Sequence, residues 1–299
     1  MTVVYIVLSH RNPEQVLRLV RALGEGPAAR VLVRHDPRGA PLAAAEIEAA
    51  GAEALEDRIE FQWGGWSQLE LILACLREAA ARHHPDWVLV LSAQDYPLRP
   101  LADIEADLAA STADGRLGAV REVERRRPPP GEDEFFLRCR YRHYTRPRAM
   151  PGLPRLARPL FYTRDLPPLV GLRRLARPPL PFFASADWLT LGPRALAAVL
   201  AASEDRRLMR HFRRVAVPSE SFFASVLLAD PSLAIEGDNR RFAPFSREGA
   251  PHPDTLTSRD YERLLASGAD FARKFDAALD SRVLDLLDEH RAGGAGPLD

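Results

Sequence analysis

The chain has 299 residues, 46% of them hydrophobic and 27% charged, with a formal net charge of zero, so it carries enough apolar material for a sizeable core. Neutrality argues against a dedicated polyanion binder, which normally shows a basic excess or a basic face. Cys75 and Cys139 are too few for a disulfide framework and lack zinc-ligand spacing, which suggests a reducing cytoplasm.

In chain order, "VVYIVL" at 3–8 is a first β-strand. It is too short for the apolar region of a signal peptide and has no basic residues before it; no later stretch reaches the roughly 18 apolar residues of a membrane span. Asn12 is expected to cap a helix that has Pro13, Glu14 and Gln15 in its first turn, with Gln15 closing a capping box. "ARVLVRHD" is a second strand ending at His35 and Asp36. After "FQWGGW", Ser67 and Glu70 form the capping box of a long helix, "SQLELILACLREAAARHH". "DWVLVLS" follows as a strand and "AQDYPLRP" as a loop. Apolar strands alternating with amphipathic helices predict an α/β fold with a mostly parallel sheet.

In such a sheet, ligands sit beyond the carboxyl ends of the strands. That selects Ser9, His10, Asp36, Ser92, Gln94 and Asp95. Turn and cap chemistry explains any one of them equally well.

From about 121 to 183 the pattern gives way to an irregular insertion rich in Arg, Pro and aromatics. Long loops in compact domains are commonly functional or disordered. Arg with interleaved Tyr suits stacking on bases, stacking on sugar rings, or a solvated basic surface; no nucleic-acid-binding motif accompanies it.

Regular structure returns with "ASADWLTLGPRALAAVL", a short strand and then a helix beginning near Pro193. "VPSESFFASVLL" places Glu220 and Ser221 at the start of an apolar helix. Position alone leaves Glu220 either a first-turn carboxylate complementing the helix dipole or a general base at the rim of a cleft. In "FARKFD", Lys274 is the only lysine of the chain. Where every other strongly basic side chain is arginine, a retained lysine marks either a site that needs a compact ammonium or an accident of composition.

These segments, together with "RHD", "QWGGWS", "LSAQDYPL" and "PHPDTLT", resemble the core-2/I-branching β-1,6-N-acetylglucosaminyltransferase family, which includes peptide O-xylosyltransferases. The resemblance runs in order along nearly the whole chain, is most specific at "LSAQDYPL" and "FARKFD", and is weakest in the insertion. It implies a GT-A glycosyltransferase fold (a Rossmann-like, mostly parallel sheet flanked by helices) forming a single domain over residues 1–299. It also implies an inverting, metal-independent transfer from a UDP-sugar, with N-acetylglucosamine as the expected sugar. UDP-xylose or UDP-glucuronate is the alternative donor, and a non-catalytic nucleotide-sugar or glycan-binding protein is the alternative class.

By the same resemblance Glu220 is the catalytic base. Ser9, His10, Asp36, Trp66, Ser67, Gln94 and Asp95 line the nucleotide site, Lys274 holds the diphosphate, and Asp187 and Trp188 lie close to the sugars. Arg240, Arg241 and Arg259 are candidates for a second diphosphate clamp, with Arg240 or Arg241 favoured. The sequence has no Asp-x-Asp pair to hold a metal, so cationic side chains are expected to offset the charge of the leaving UDP. No cofactor is expected; the partners are the donor and a glycan or glycosylated acceptor, with no nucleic acid and no membrane span. Family members in eukaryotes are disulfide-bearing Golgi membrane proteins; the sparse cysteines and missing anchor instead imply a bacterial, cytoplasmic member.

Overall fold

The computed structural model of the chain describes residues 1–57, 59–123, 138–139, 179–246 and 252–293. The Rossmann-like half comes first: β1 (Val3–Ser9), α1 (Pro13–Gly24), β2 (Ala29–His35), α2 (Ala44–Ala49), β3 (Glu53–Ala54), α3 (Trp66–His83) and β4 (Trp87–Ser92). Then come β5 (Asp95–Pro97), α4 (Leu101–Ala110), β6 (Gly115–Arg116), β7 (Arg121–Glu122), β8 (Phe183–Ala184) and β9 (Thr190–Leu191). The remainder holds helices Pro193–Glu204, Arg206–Phe212 and Ser219–Ala229, strands β10 (Ile235–Glu236), β11 (Arg241–Phe242) and β12 (Phe271–Arg273), and a last helix, Arg282–Ala292.

The central sheet has seven strands in the order β10-β6-β9-β4-β1-β2-β3. β3, β2, β1 and β4 run parallel, as does the β6–β10 pair, while β9 is antiparallel to both its neighbours. The sheet is therefore mixed and mostly parallel, and the α/β class expected from the sequence is observed. Alternation along β1 assigns its two faces. Val4 and Ile6 enter an apolar cluster with α3 and the Ser219–Ala229 helix, while Val3, Tyr5 and Val7 enter a second cluster with α1, α4 and the last helix. Both faces are covered, which is why the parallel strands are continuous apolar runs. Among the described residues no helix is long and apolar enough to cross a membrane.

Three local expectations are corrected. Asn12 has left-handed geometry (φ 51°) and makes no side-chain cap; its amide donates instead to Asp276 Oδ1 at 3.1 Å. Gln15 closes no capping box. Its Nε2 donates to the carbonyls of Ala93 (2.8 Å) and Phe275 (3.1 Å), and its Oε1 accepts the Ala277 N–H (2.8 Å). The third correction concerns α3, which begins at Trp66 without a side-chain cap; the Ser67 hydroxyl accepts the Gln62 N–H at 2.9 Å. In each case long-range or loop partners outcompete the local cap.

"AQDYPLRP" is not only a loop. Asp95–Pro97 pairs antiparallel with Phe271–Arg273 in a three-stranded sheet, β11-β12-β5, and Phe275 N–H donates to Gln94 O at 2.9 Å. The two segments that carry the strongest resemblance are thus hydrogen-bonded to each other. Gln15 fastens the strap that follows Lys274 to the end of β4. Gln15→Ala should cost roughly 1–3 kcal/mol, because it leaves buried backbone groups unsatisfied; urea unfolding checks this. An unchanged midpoint would show that apolar packing alone holds the strap.

Candidate active site

At the carboxyl end of β4 the chain turns through Ala93 and Gln94 into Asp95, which is 1% exposed. Asp95 Oδ2 accepts from the Ser92 N–H (2.7 Å) and the Ser92 hydroxyl (2.5 Å). Its Oδ1 has no hydrogen bond and lies between two cations, Arg273 Nε at 3.7 Å and Arg241 Nη1 at 3.9 Å. Arg241 Nη1 donates to Val90 O at 2.9 Å, while its Nε and Nη2 are buried without a partner. Burial pulls this guanidinium down to about 10, so it remains charged near neutrality. Two buried or part-buried arginines thus face one carboxylate, and Asp270 adds a second negative charge within reach of Arg241.

Lys274 follows Arg273 directly. Its backbone is held on both sides, N–H to Asp254 O (3.3 Å) and O from Leu256 N–H (2.9 Å). Its side chain is partly exposed and forms no ion pair or hydrogen bond with the described residues. The positions are fixed and the ammonium is left available.

The favoured second-clamp residues behave differently. Arg241 has a side-chain exposure of 2% and is buried. Arg240, in left-handed conformation (φ 56°), faces Asp270 at 3.5 Å. Arg259 lies in a single 3-10 turn, Ser258–Asp260. Arg273, which the sequence did not single out, is the cation that meets both Asp95 and Trp188.

Arg273 also alters the part assigned to Trp188. Its guanidinium carbon stacks 4.1 Å from the Trp188 ring centroid, so a ring face expected for a pyranose carries a cation instead. Trp66 is likewise covered, by Arg213 at 4.9 Å, and Trp87 is in the core. Of the chain's four tryptophans, Trp63 alone is markedly exposed, at 43%, with its ring set at 69° to His252.

Trp63 leads into the opposite wall. Gly64 N–H donates to Gln68 Oε1 (2.8 Å), and Gln68 Nε2 donates to Asp187 Oδ2 (2.6 Å). Gly64 O accepts the Val217 N–H at 3.0 Å. Val217 has φ 45°, a costly conformation for a β-branched residue, at the entry to the helix that bears Glu220. Glu220 stands in the first turn of that helix, and its Oε2 accepts from Arg138 Nη1 at 2.6 Å.

Asp187 is partly exposed as a residue, yet its Oδ1 is sealed from solvent without a hydrogen bond, as is the Ser219 hydroxyl. Burial pushes the Asp187 carboxyl above the usual carboxylate range, against the pull of the nearby Ser219 hydroxyl and the Arg273 charge. The two walls are joined electrostatically through Arg273, which faces Asp95 on one side and acts on Asp187 on the other.

The end of β1 and β2 forms a third part. Ser9 Oγ and His35 Nδ1 are 2.8 Å apart, and His10 is exposed. Asp36 is bonded by its own loop: Arg38 donates to Oδ1 from N–H and Nε (3.0 Å each) and to Oδ2 from Nη2 (2.7 Å). Those bonds hold the Asp36 carboxyl at about 2. Arg38 also donates to Phe61 O, tying this loop to the segment before Trp63. Gly39 is required here, since a Cβ would fall 1.7 Å from His10 O.

Arg273 links Asp95 with Trp188 and Asp187, and Arg138 links Asp187 with Glu220, while Gln94 and Lys274 flank Asp95 and Arg273 in the chain and Ser9, His10 and Asp36 lie at the ends of β1 and β2. Ser67 bonds to the nearby Gln62, and Trp66 stacks with Arg213. Most of the 121–183 insertion lies outside the described residues; β7 and β8 pair antiparallel at its base. Both cysteines are buried.

No family model matches the chain. It is 24% identical over 311 residues to xylosyltransferase oxt of Drosophila melanogaster, covering 95% of this chain and 32% of that protein. Against xylosyltransferase 2 of Homo sapiens it is 25% identical over 262 residues, covering 79% of this chain and 27% of that protein. The chain thus spans about a third or less of the length of these curated relatives. Among solved structures, mouse xyloside xylosyltransferase 1 in its apo form aligns over 91% of this chain and 97% of that one, at 10% identity and a TM-score of 0.42. By sequence, the chain is distantly similar to these xylosyltransferases.

Proposed function

We propose that this chain is an inverting glycosyltransferase that moves a sugar from a UDP-sugar to a hydroxyl of a glycan or glycosylated acceptor without a metal. The observation that carries this reading is the pairing of β5 with β12. It holds Arg273 between Asp95 and the Asp187–Trp188 segment, and Lys274, with no side-chain partner among the described residues, is the next residue along. In the reaction, Glu220 takes the proton of the acceptor hydroxyl as its oxygen bonds to the anomeric carbon. The bond from that carbon to the UDP oxygen breaks on the opposite face, and its electron pair leaves with UDP. Lys274 offsets the growing negative charge, with Arg273 and Arg241 adding to the field. Ser9, His10 and the Asp36 loop border the uridine end, Asp187 and the Arg273-backed Trp188 border the donor sugar, and Trp63 offers an open ring face to a pyranose.

N-acetylglucosamine is the sugar implied by the family resemblance. Xylose is favoured by the names of the curated relatives. A thermal-unfolding screen separates them, because a ligand at 100 times its Kd stabilises the folded state by about 2.7 kcal/mol. UDP and one of the two UDP-sugars should raise the melting temperature, while CMP should not. No shift with any uridine nucleotide would remove the donor assignment. The missing Asp-x-Asp pair predicts that turnover is the same in EDTA as in added manganese; activity that titrates with manganese would refute metal independence.

A further inference from the structure

The Arg- and Pro-rich insertion is the part of the sequence that the reaction above leaves unused, and one of its arginines reaches the candidate base. Arg138 Nη1 donates to Glu220 Oε2 at 2.6 Å, with side-chain exposures of 16% and 27%. Two features fix that arginine. Its carbonyl accepts the Ala216 N–H at 3.2 Å, just ahead of the Glu220 helix. The next residue, Cys139, is 1% exposed in the apolar cluster that holds Phe212 and Phe222. Residues 138 and 139 are thus tied down beside Glu220 by a backbone bond and a buried side chain.

We propose that Arg138 is a positioning residue for Glu220, holding its carboxylate in one orientation and in the charged form that can accept the acceptor's proton. The inference rests on Glu220 being the base. A charge-assisted N–H···O bond of this length restricts the carboxylate's rotation, and the opposite charge favours ionisation. With the guanidinium on Oε2, the carboxylate is aimed rather than merely present.

The test needs no identified acceptor, because water serves as one. UDP release from UDP-xylose and from UDP-N-acetylglucosamine is measured for wild type, Arg138→Gln and Arg138→Lys, with UDP affinity by calorimetry and melting temperature recorded for each. Arg138→Gln should lower turnover about 10- to 100-fold, the scale of a misplaced catalytic group, with donor KM and UDP affinity unchanged. Arg138→Lys should recover most of that loss by restoring the charge. Turnover that is unchanged or raised in Arg138→Gln would overturn the proposal, the second result meaning that Arg138 restrains the base. So would a lysine variant as slow as the glutamine variant with both melting normally, or early melting and lost UDP affinity in both, which would make Arg138 a strut. If wild type releases UDP from neither donor while UDP itself binds, the transferase reading fails first, and that failure is separate from any effect at Arg138.

Discussion

Glu220→Gln is expected to abolish transfer while leaving UDP binding intact. The amide keeps the shape of the side chain in the first helical turn; what is lost is the carboxylate lone pair that takes the acceptor's proton. A removed general base costs on the order of 10²-fold or more in turnover. The change should fall in kcat, with donor KM little altered, because the interaction matters in the transition state and not in donor binding. The amide can still accept from Arg138 through its oxygen, so the helix entry, with its strained Val217, should stay in place and the melting temperature should hold. Activity within a few-fold of wild type would remove Glu220 from the mechanism and leave its ion pair with Arg138 as structure.

The second large effect belongs to Lys274. Lys274→Ala should weaken UDP binding by roughly 1.5–3 kcal/mol, the worth of one charge-assisted contact, while uridine affinity stays nearly constant. Turnover should fall further, since the charge on the departing diphosphate is greatest in the transition state. The structure makes the substitution clean: with no side-chain partner among the described residues, the ammonium takes no described ion pair with it when removed, and the backbone bonds to Asp254 and Leu256 remain. Lys274→Arg is sharper. If the site needs a compact ammonium beside Arg273 and Arg241, the planar guanidinium will restore charge without restoring rate. Equal activity in the arginine variant would show the lone lysine to be an accident of composition.

The sheet was legible because buried parallel strands announce themselves as apolar runs; Val3–Ser9, Ala29–His35 and Trp87–Ser92 lie where the pattern put them. Asp95–Pro97 was not legible as a strand, because it is three residues long, contains proline, and forms only by pairing with a segment far along the chain. The caps failed for a related reason. Asn12, Gln15 and Ser67 have the right chemistry at the right spacing, but tertiary partners claim the first two and the preceding loop claims Ser67. Arg273 and Arg138 carried no signal in a chain crowded with arginine, where only contact with Asp95, Trp188 or Glu220 separates one from another. Lys274 was visible for the opposite reason, being single of its kind. Trp188 was assigned by the family resemblance, and only the packing revealed that Arg273 stacks on its ring.

The most direct test is to incubate wild type and Glu220→Gln with UDP-xylose or UDP-N-acetylglucosamine in EDTA and to follow the diphosphate by phosphorus NMR. Wild type should convert one of the two donors to UDP with no added metal, and Glu220→Gln should bind UDP but leave the donor intact. Release of no UDP from either donor, release only after manganese is added, or equal release by the variant would contradict a metal-independent transferase working through Glu220.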